Sequence, residues 1–251
     1  MKKIRMMTAA CLLAGLVLAG CSRQTQFTYE GSRLESMARD LQENAQADSF
    51  AKNLCVVTGE EGEEDASVTA EAAAAFGIDS TQVIFQKNPF ERLYPASITK
   101  IMTALIAIRD GDLTDSVTVG PETVITETGA SLAHINPGDT LTMEQLLYGL
   151  MLPSGNDAGA AIAVHMAGST EAFAEKMNET AHALGATDTH FVNPHGLNNE
   201  DHYTTAYDLY LIFNEALKYP EFRKIIGTVS YQAQYTDSTG QAKTQEWKNS
   251  N

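Results

Sequence analysis

Positive charge is scarce in this sequence. Only 17 Lys and Arg stand against 32 Asp and Glu in 251 residues, a net charge of −15. Phosphate contacts need clustered Lys and Arg, so a nucleic-acid grip is excluded. Cysteine is nearly absent too, with three residues at positions 11, 21 and 55. Aromatic residues make up 8%, and there is neither an internal repeat nor a low-complexity tract, which rules out collagen-like and fully disordered chains. Beyond the N-terminus no apolar run is long enough for a multispan membrane protein. What remains, 43% hydrophobic and 20% charged, is the composition of a water-soluble globular protein. Its length suits one large core or two modest ones.

The N-terminus has its own pattern. Lys2, Lys3 and Arg5 precede an uncharged stretch from Met6 to Ser22, whose dense apolar part, Ala9 to Gly20, is shorter than the ~20 residues of a spanning helix. That is a signal-peptide layout. Leu18-Ala19-Gly20-Cys21 looks like a bacterial lipobox, in which Cys21 becomes the lipidated first residue of the mature chain; an uncleaved anchor and an ordinary secretory signal are the alternatives. Loss of residues 1–20 removes three basic residues and no acidic ones, leaving 14 against 32 and a net charge of −18. Cys55 is then the one thiol left unmodified, so no internal disulfide can form. Its apolar setting, Leu54-Cys55-Val56-Val57, points to a buried, inert thiol in a strand over 53–58.

Residues 21–69 read as a tether and N-terminal extension, with Leu34, Met37, Ala38 and Leu41 at helical spacing. The acidic run Glu60, Glu61, Glu63, Glu64, Asp65 reads as a solvated loop rather than a calcium site, because it lacks a loop-forming ligand pattern. From residue 70 onward a catalytic-sized domain begins. A hairpin is expected over 72–78 and 82–86, then a helix from Ser97 in which Ile98, Ile101, Met102, Leu105, Ile106 and Ile108 are apolar around much of the circumference. Further helices are expected over 143–151, 157–166, 170–184 and 205–218. A second hairpin over 229–247 turns at Asp237-Ser238-Thr239-Gly240.

A hydroxyl nucleophile needs a base within reach, and residues i and i+3 of a helix share a face. Ser97 and Lys100 meet this condition; so do Ser49 and Lys52, so spacing alone does not decide. Context favours Ser97, which follows Pro95-Ala96 at the start of a buried helix, where free N–H groups favour developing negative charge and burial would lower the lysine pKa. Ser154-Gly155-Asn156 lies between two helices, where a hydroxyl and an amide can both face a cleft; its alternative is a helix cap.

Four segments in this order resemble the serine D-alanyl-D-alanine carboxypeptidases, the low-molecular-mass penicillin-binding proteins. They are Pro95-Ala96-Ser97-Ile98-Thr99-Lys100-Ile101-Met102-Thr103, Gly129-Ala130-Ser131-Leu132, Leu152-Pro153-Ser154-Gly155-Asn156-Asp157 and Thr189-His190-Phe191-Val192-Asn193-Pro194-His195-Gly196-Leu197. The resemblance covers roughly residues 70–251. It implies an α/β chain of the α+β type with the penicillin-binding, serine β-lactamase-like fold, a helical subdomain against an antiparallel sheet. It also implies that Ser97 is acylated, Lys100 is its base, and Ser154 with Asn156 forms the second motif, Ser154 passing protons and Asn156 binding substrate. Gly155 takes the middle place that the wider superfamily fills with Asp. The implied substrate is a peptidoglycan stem peptide ending in D-Ala-D-Ala, with β-lactams as covalent inhibitors. A lipid anchor would hold the protein at the outer face of a bacterial membrane, and no cofactor and no nucleic acid take part.

The family's third motif, Lys-Thr-Gly on a strand, is not found. Lys243-Thr244-Gln245 and Ser238-Thr239-Gly240 both precede Trp247-Lys248-Asn249-Ser250-Asn251, a segment that in the family comes before that strand. The resemblance thus implies a sheet incomplete at its C-terminus and a domain truncated before the strand. Residues 22–251 alone are expected to release no D-alanine from a diacetyl-Lys-D-Ala-D-Ala type peptide, whereas a chain extended through the next strands does. A β-lactamase of the same fold and a non-catalytic wall-binding or regulatory module are the rival readings. Two other chemistries fit poorly. His190, His195 and His202 share a loop but not a compact ligand pattern, so no metal is expected. Pro153 and Asn156 do not build the Gly-x-Ser-x-Gly elbow of a Ser-His-Asp triad around Ser154.

Overall fold

The computed structural model describes residues 54–57, 67–77 and 80–250. The signal peptide, Cys21, the helical spacing at 34–41, the acidic run and the Ser49/Lys52 pair lie outside the described residues. Two strands, β1 (Ala73–Phe76) and β2 (Val83–Lys87), form the first hairpin, with a register shift between Ala75 and Phe76. A 3₁₀ turn over Ala96–Thr99 leads into α1 (Lys100–Asp110). Then follow β3 (Ser116–Thr118), β4 (Thr140–Thr142), α2 (Met143–Met151), α3 (Asn156–Ala167), α4 (Thr170–Ala183), α5 (Ala206–Ala216), α6 (Pro220–Ile226), β5 (Ser230–Thr236) and β6 (Ala242–Lys248). The last four strands make an antiparallel sheet in the order β3-β4-β5-β6. This is the expected helical layer with an antiparallel sheet.

The organising element is α1, against which α2, α3, α4, α5 and α6 all pack. Met102, Ala104, Leu105, Ile106 and Ala107 are fully buried along it. The apolar girdle is narrower than its sequence suggests, because Ile98 falls in the 3₁₀ turn and is 49% exposed. With Ile101, Leu209 and Phe213 it lines an open apolar cavity of about 440 Å³. Next to α1, α2 starts with a capping box: Thr142 Oγ1 accepts from the Gln145 N–H at 3.1 Å, and Gln145 Oε1 accepts from the Thr142 N–H at 2.9 Å. That reciprocal pair fixes where α2 begins and hence where it delivers Leu152-Pro153-Ser154.

The β5–β6 hairpin closes the core through alternation, turning Ala233, Tyr235 and Trp247 inward. Its turn is made by Asp237 Oδ1, which accepts from the N–H groups of Thr239 and Gln241, each at 2.9 Å. Tyr231, paired with Trp247, stacks on Tyr148 of α2 at 3.8 Å between centroids. None of the helices among the described residues is long and apolar enough to cross a membrane.

One expected strand is absent. Leu54–Val57 is irregular, because the backbone of Cys55 pairs with phenols instead of a neighbouring strand. Its N–H donates to Tyr210 Oη at 2.8 Å, and its carbonyl accepts from Tyr207 Oη at 3.0 Å. The thiol itself is fully buried. Three short elements, β3, β4 and α6, were not expected. Three-residue strands are too short for a period-two pattern, whereas α6 had a usable signal in Pro220 at its first turn.

Candidate active site

The turn that carries Ser97 is strained. Ala96 adopts φ 48°, a left-handed conformation that costs a non-glycine residue ~1–2 kcal/mol. The kink leaves Ser97 exposed while Lys100, first residue of α1, is only 2% exposed. The two side chains meet as the i, i+3 spacing predicts: Lys100 Nζ donates to Ser97 Oγ at 3.0 Å and to the His195 carbonyl oxygen at 2.7 Å. Burial lowers the ammonium pKa to about 8, against a smaller raising effect from the charge of Asp157.

The second motif comes from the link between α2 and α3. Ser154 sits at φ 60°, another strained non-glycine residue, and its Oγ donates to Ser97 Oγ at 2.9 Å. Ser97 Oγ thus lies within hydrogen-bond reach of both Lys100 and Ser154. Asn156 opens α3, 4% exposed, with its N–H donating to the Ser131 carbonyl at 2.8 Å. Gly155 has no room for a side chain: a Cβ there would lie 2.6 Å from the Gly149 carbonyl oxygen and 2.8 Å from the Ala133 backbone nitrogen. The middle place therefore cannot hold an Asp without moving the loop that carries Ser131.

The third contributor is a backbone. Asn193 Oδ1 accepts from the N–H groups of His195 (3.2 Å) and Gly196 (2.7 Å), and its Nδ2 donates to the Leu197 carbonyl at 2.9 Å. The folded loop aims two carbonyls at α1, that of Pro194 at Thr103 Oγ1 (2.6 Å) and that of His195 at Lys100. Gly196, at φ 86°, lies so close to the turn that carries Ser97 that a Cβ would meet the Ala96 carbonyl oxygen at 1.8 Å. Residue roles cannot be read from this segment's side chains, since the contact to Lys100 is made by a main-chain oxygen. The Asn193-Pro194 pair followed by Gly196 was the available sign of a tight loop.

The three histidines of this region serve the scaffold. The Val192 N–H donates to His202 Nδ1 at 3.1 Å, which assigns the proton to Nε2, 2.8 Å from Thr99 Oγ1. Burial pushes the imidazoles of His195 and His202 down to about 4, so both are neutral near pH 7. His190 Nδ1 faces the Asp201 carbonyl and His195 Nδ1 accepts from the Leu197 N–H at 3.3 Å. Among the described residues no three His, Cys, Asp or Glu side chains converge as a metal-binding group.

Comparison with known families assigns the scaffold. Residues 59–251 match the peptidase family described as D-alanyl-D-alanine carboxypeptidase. The chain belongs to this family. It is 39% identical over 184 residues to the D-alanyl-D-alanine carboxypeptidase DacF of Bacillus subtilis, covering 71% of this chain and 47% of that protein. A Streptomyces D-alanyl-D-alanine carboxypeptidase is 33% identical over 196 residues, with 74% and 67% covered. The crystal structure of a Streptomyces DD-transpeptidase superposes with a TM-score of 0.68 at 36% identity, covering 73% of this chain and 75% of that one. The chain spans about half the length of its Bacillus relative. The penicillin-binding fold is thereby shown, and the family segments meet where Ser97 Oγ contacts both Lys100 and Ser154.

Proposed function

We propose that this carboxypeptidase-family chain carries the acyl-transfer site of a serine D-alanyl-D-alanine carboxypeptidase, with Ser97 as nucleophile. One observation carries the reading: Ser97 Oγ is held at 3.0 Å from a buried lysine and at 2.9 Å from a second hydroxyl. A lysine in water, near pKa 10.4, is neutral in roughly one molecule in a few thousand at pH 7, whereas at about 8 the fraction is near a tenth. Burial therefore makes Lys100 a usable base at neutral pH. It takes the Ser97 proton as Oγ attacks the carbonyl between the two terminal D-alanines of a stem peptide. The C–N bond breaks, the leaving D-alanine takes a proton relayed through Ser154, and water later hydrolyses the ester at Ser97. Asn156 is assigned to hydrogen-bond the substrate's peptide group. A β-lactam ring, opened by the same attack, would leave a stable acyl group on Ser97.

The direct test is covalent labelling. In the complete protein a labelled penicillin is expected to attach at Ser97, identified by peptide mapping, and to come off slowly; label on Ser49 would defeat the assignment. Rapid release of the opened penicillin would move the protein to the β-lactamases, and absence of labelling would favour a non-catalytic wall-binding module. The acylation rate is also expected to climb with pH, by ~10-fold per unit, until it levels off near the Lys100 pKa of about 8, because only the unprotonated amine accepts the Ser97 proton. A rate independent of pH between 6 and 8 would exclude Lys100 as the base.

The same reading places the protein outside the cytoplasm, tethered by lipid on Cys21, a proposal supported by Leu18-Ala19-Gly20-Cys21 after the apolar run. Mature protein is expected to partition into detergent, and Cys21→Ala to abolish that behaviour. Wild-type protein free in the medium with an unmodified N-terminus would refute the anchor.

A further inference from the structure

The acyl-transfer scheme gives no task to the buried carboxylate next to the second motif. Asp157 follows Asn156 in the first turn of α3 and is 1% exposed. Its Oδ1 accepts from the N–H groups of Ala133 (2.8 Å) and Ala158 (2.9 Å), and its Oδ2 from that of Ile135 (3.2 Å). Between Ala133 and Ile135, His134 takes a left-handed φ of 61°. Such a residue turns successive N–H groups toward one point, the geometry of an anion-binding nest. The nest belongs to the loop on which the second motif rests, since the Ser131 carbonyl receives the Asn156 N–H and the Ala133 backbone leaves no space beside Gly155. A second tether reaches the loop from the sheet, where Trp247 Nε1 donates to the Ala133 carbonyl at 2.8 Å.

We propose that Asp157 is a positioning residue for acylation of Ser97: its carboxylate fastens the 131–135 loop beneath Ser154-Gly155-Asn156, and its charge bears on the buried Lys100. This rests on the acyl-transfer reading above. The groups that face this pair are few. Lys100 feels Asp157 from α3 and lies against His195 of the 193–197 loop, a neutral imidazole whose protonation the lysine opposes. Asp157 in turn faces the Tyr235 phenol from β5, a group that burial keeps protonated. Among the described residues the charge of Asp157 is what opposes the effect of burial on Lys100, while burial raises the Asp157 carboxyl above its ordinary value.

Acylation by a labelled penicillin, followed across pH on the full chain, separates the two roles. Asp157→Asn keeps the shape, removes the charge and turns an NH₂ toward N–H donors. It is expected to lower the plateau rate ~10-fold and to shift the rising limb of the profile to lower pH by about half a unit or more. Trp247→Phe removes the sheet-side hydrogen bond and some ring packing but no charge, so the plateau should fall while the limb stays in place. Asp157→Glu retains the charge on an arm too long for the nest, and is likewise expected to slow the plateau with the limb unmoved. It decides the positioning role even if the Asn variant does not fold. A limb unmoved in folded Asp157→Asn, or a wild-type plateau in Asp157→Glu, overturns the proposal while leaving Ser97 acylation intact. Wild-type protein that is never acylated overturns both readings.

Discussion

Replacing Lys100 by alanine is expected to slow acylation of Ser97 by ~10²- to 10⁴-fold, the range lost when a positioned general base is removed. The fold should survive, and thermal unfolding should show it. The folded-state pKa of this lysine is lowered from 10.5 to about 8, so between those values the unfolded chain binds the extra proton and stability rises with pH. Below about pH 8 the buried ammonium costs the native state about 3 kcal/mol relative to an unperturbed lysine. Much of that penalty disappears in the alanine variant, offsetting the cavity left by the side chain. The variant is thus expected to lose its activity without a matching loss of melting temperature at pH 7. A variant that acylates within ~10-fold of wild type, or one that is unfolded, contradicts this account of a base kept functional at the expense of stability.

Gly196→Ala is expected to be nearly as damaging from outside the catalytic set. Its Cβ would enter the Ala96 carbonyl at 1.8 Å, and the φ of 86° already disfavours any L side chain. The turn before Ser97 must then retreat or the loop must lift, taking the His195 carbonyl from Lys100. A displacement near 1 Å at the reacting atoms typically costs ~10²-fold, so acylation should fall by at least that, with a clear drop in melting temperature. Gly168→Ala separates contact from conformation. Gly168 has the same left-handed habit, φ 83°, but nothing lies within 4 Å of its missing Cβ. That variant should lose ~1 kcal/mol and keep its acylation rate. Equal effects of the two substitutions would show that backbone strain, not proximity to Ala96, is what matters.

The side-chain chemistry of the site was legible because spacing was joined by sequence context and by the family resemblance. Ser97 and Lys100 share a face, Ser154 emerges between two helices, and α2 occupies the expected 143–151. What stayed hidden is made by the main chain. Neither the His195 carbonyl at Lys100 nor the N–H nest around Asp157 has a residue-type signature, since any side chain could accompany those groups. The same blindness produced the error at Leu54–Val57, where an apolar run reads as a strand until two tyrosines from α5 take its hydrogen bonds. Ser97's left-handed neighbour Ala96 was illegible for a related reason, because the conformation is imposed by tertiary contact against local preference.

The contacts that surround Ser97 also have a consequence in time. Ser154 is 57 residues away along the chain and the His195 carbonyl is 95 residues from Lys100, so the reactive constellation is built from non-local closures, the kind that form late in folding. A chain with α1 complete but the 193–197 loop undocked holds its lysine in water near the ordinary pKa of about 10.4, beside a serine with no base. On the proposed reading, nascent or partly collapsed molecules are therefore expected to be chemically silent. The proposed acylation of Ser97 is then expected only as a late step of folding, and a label on Ser97 would mark the molecules that have completed it.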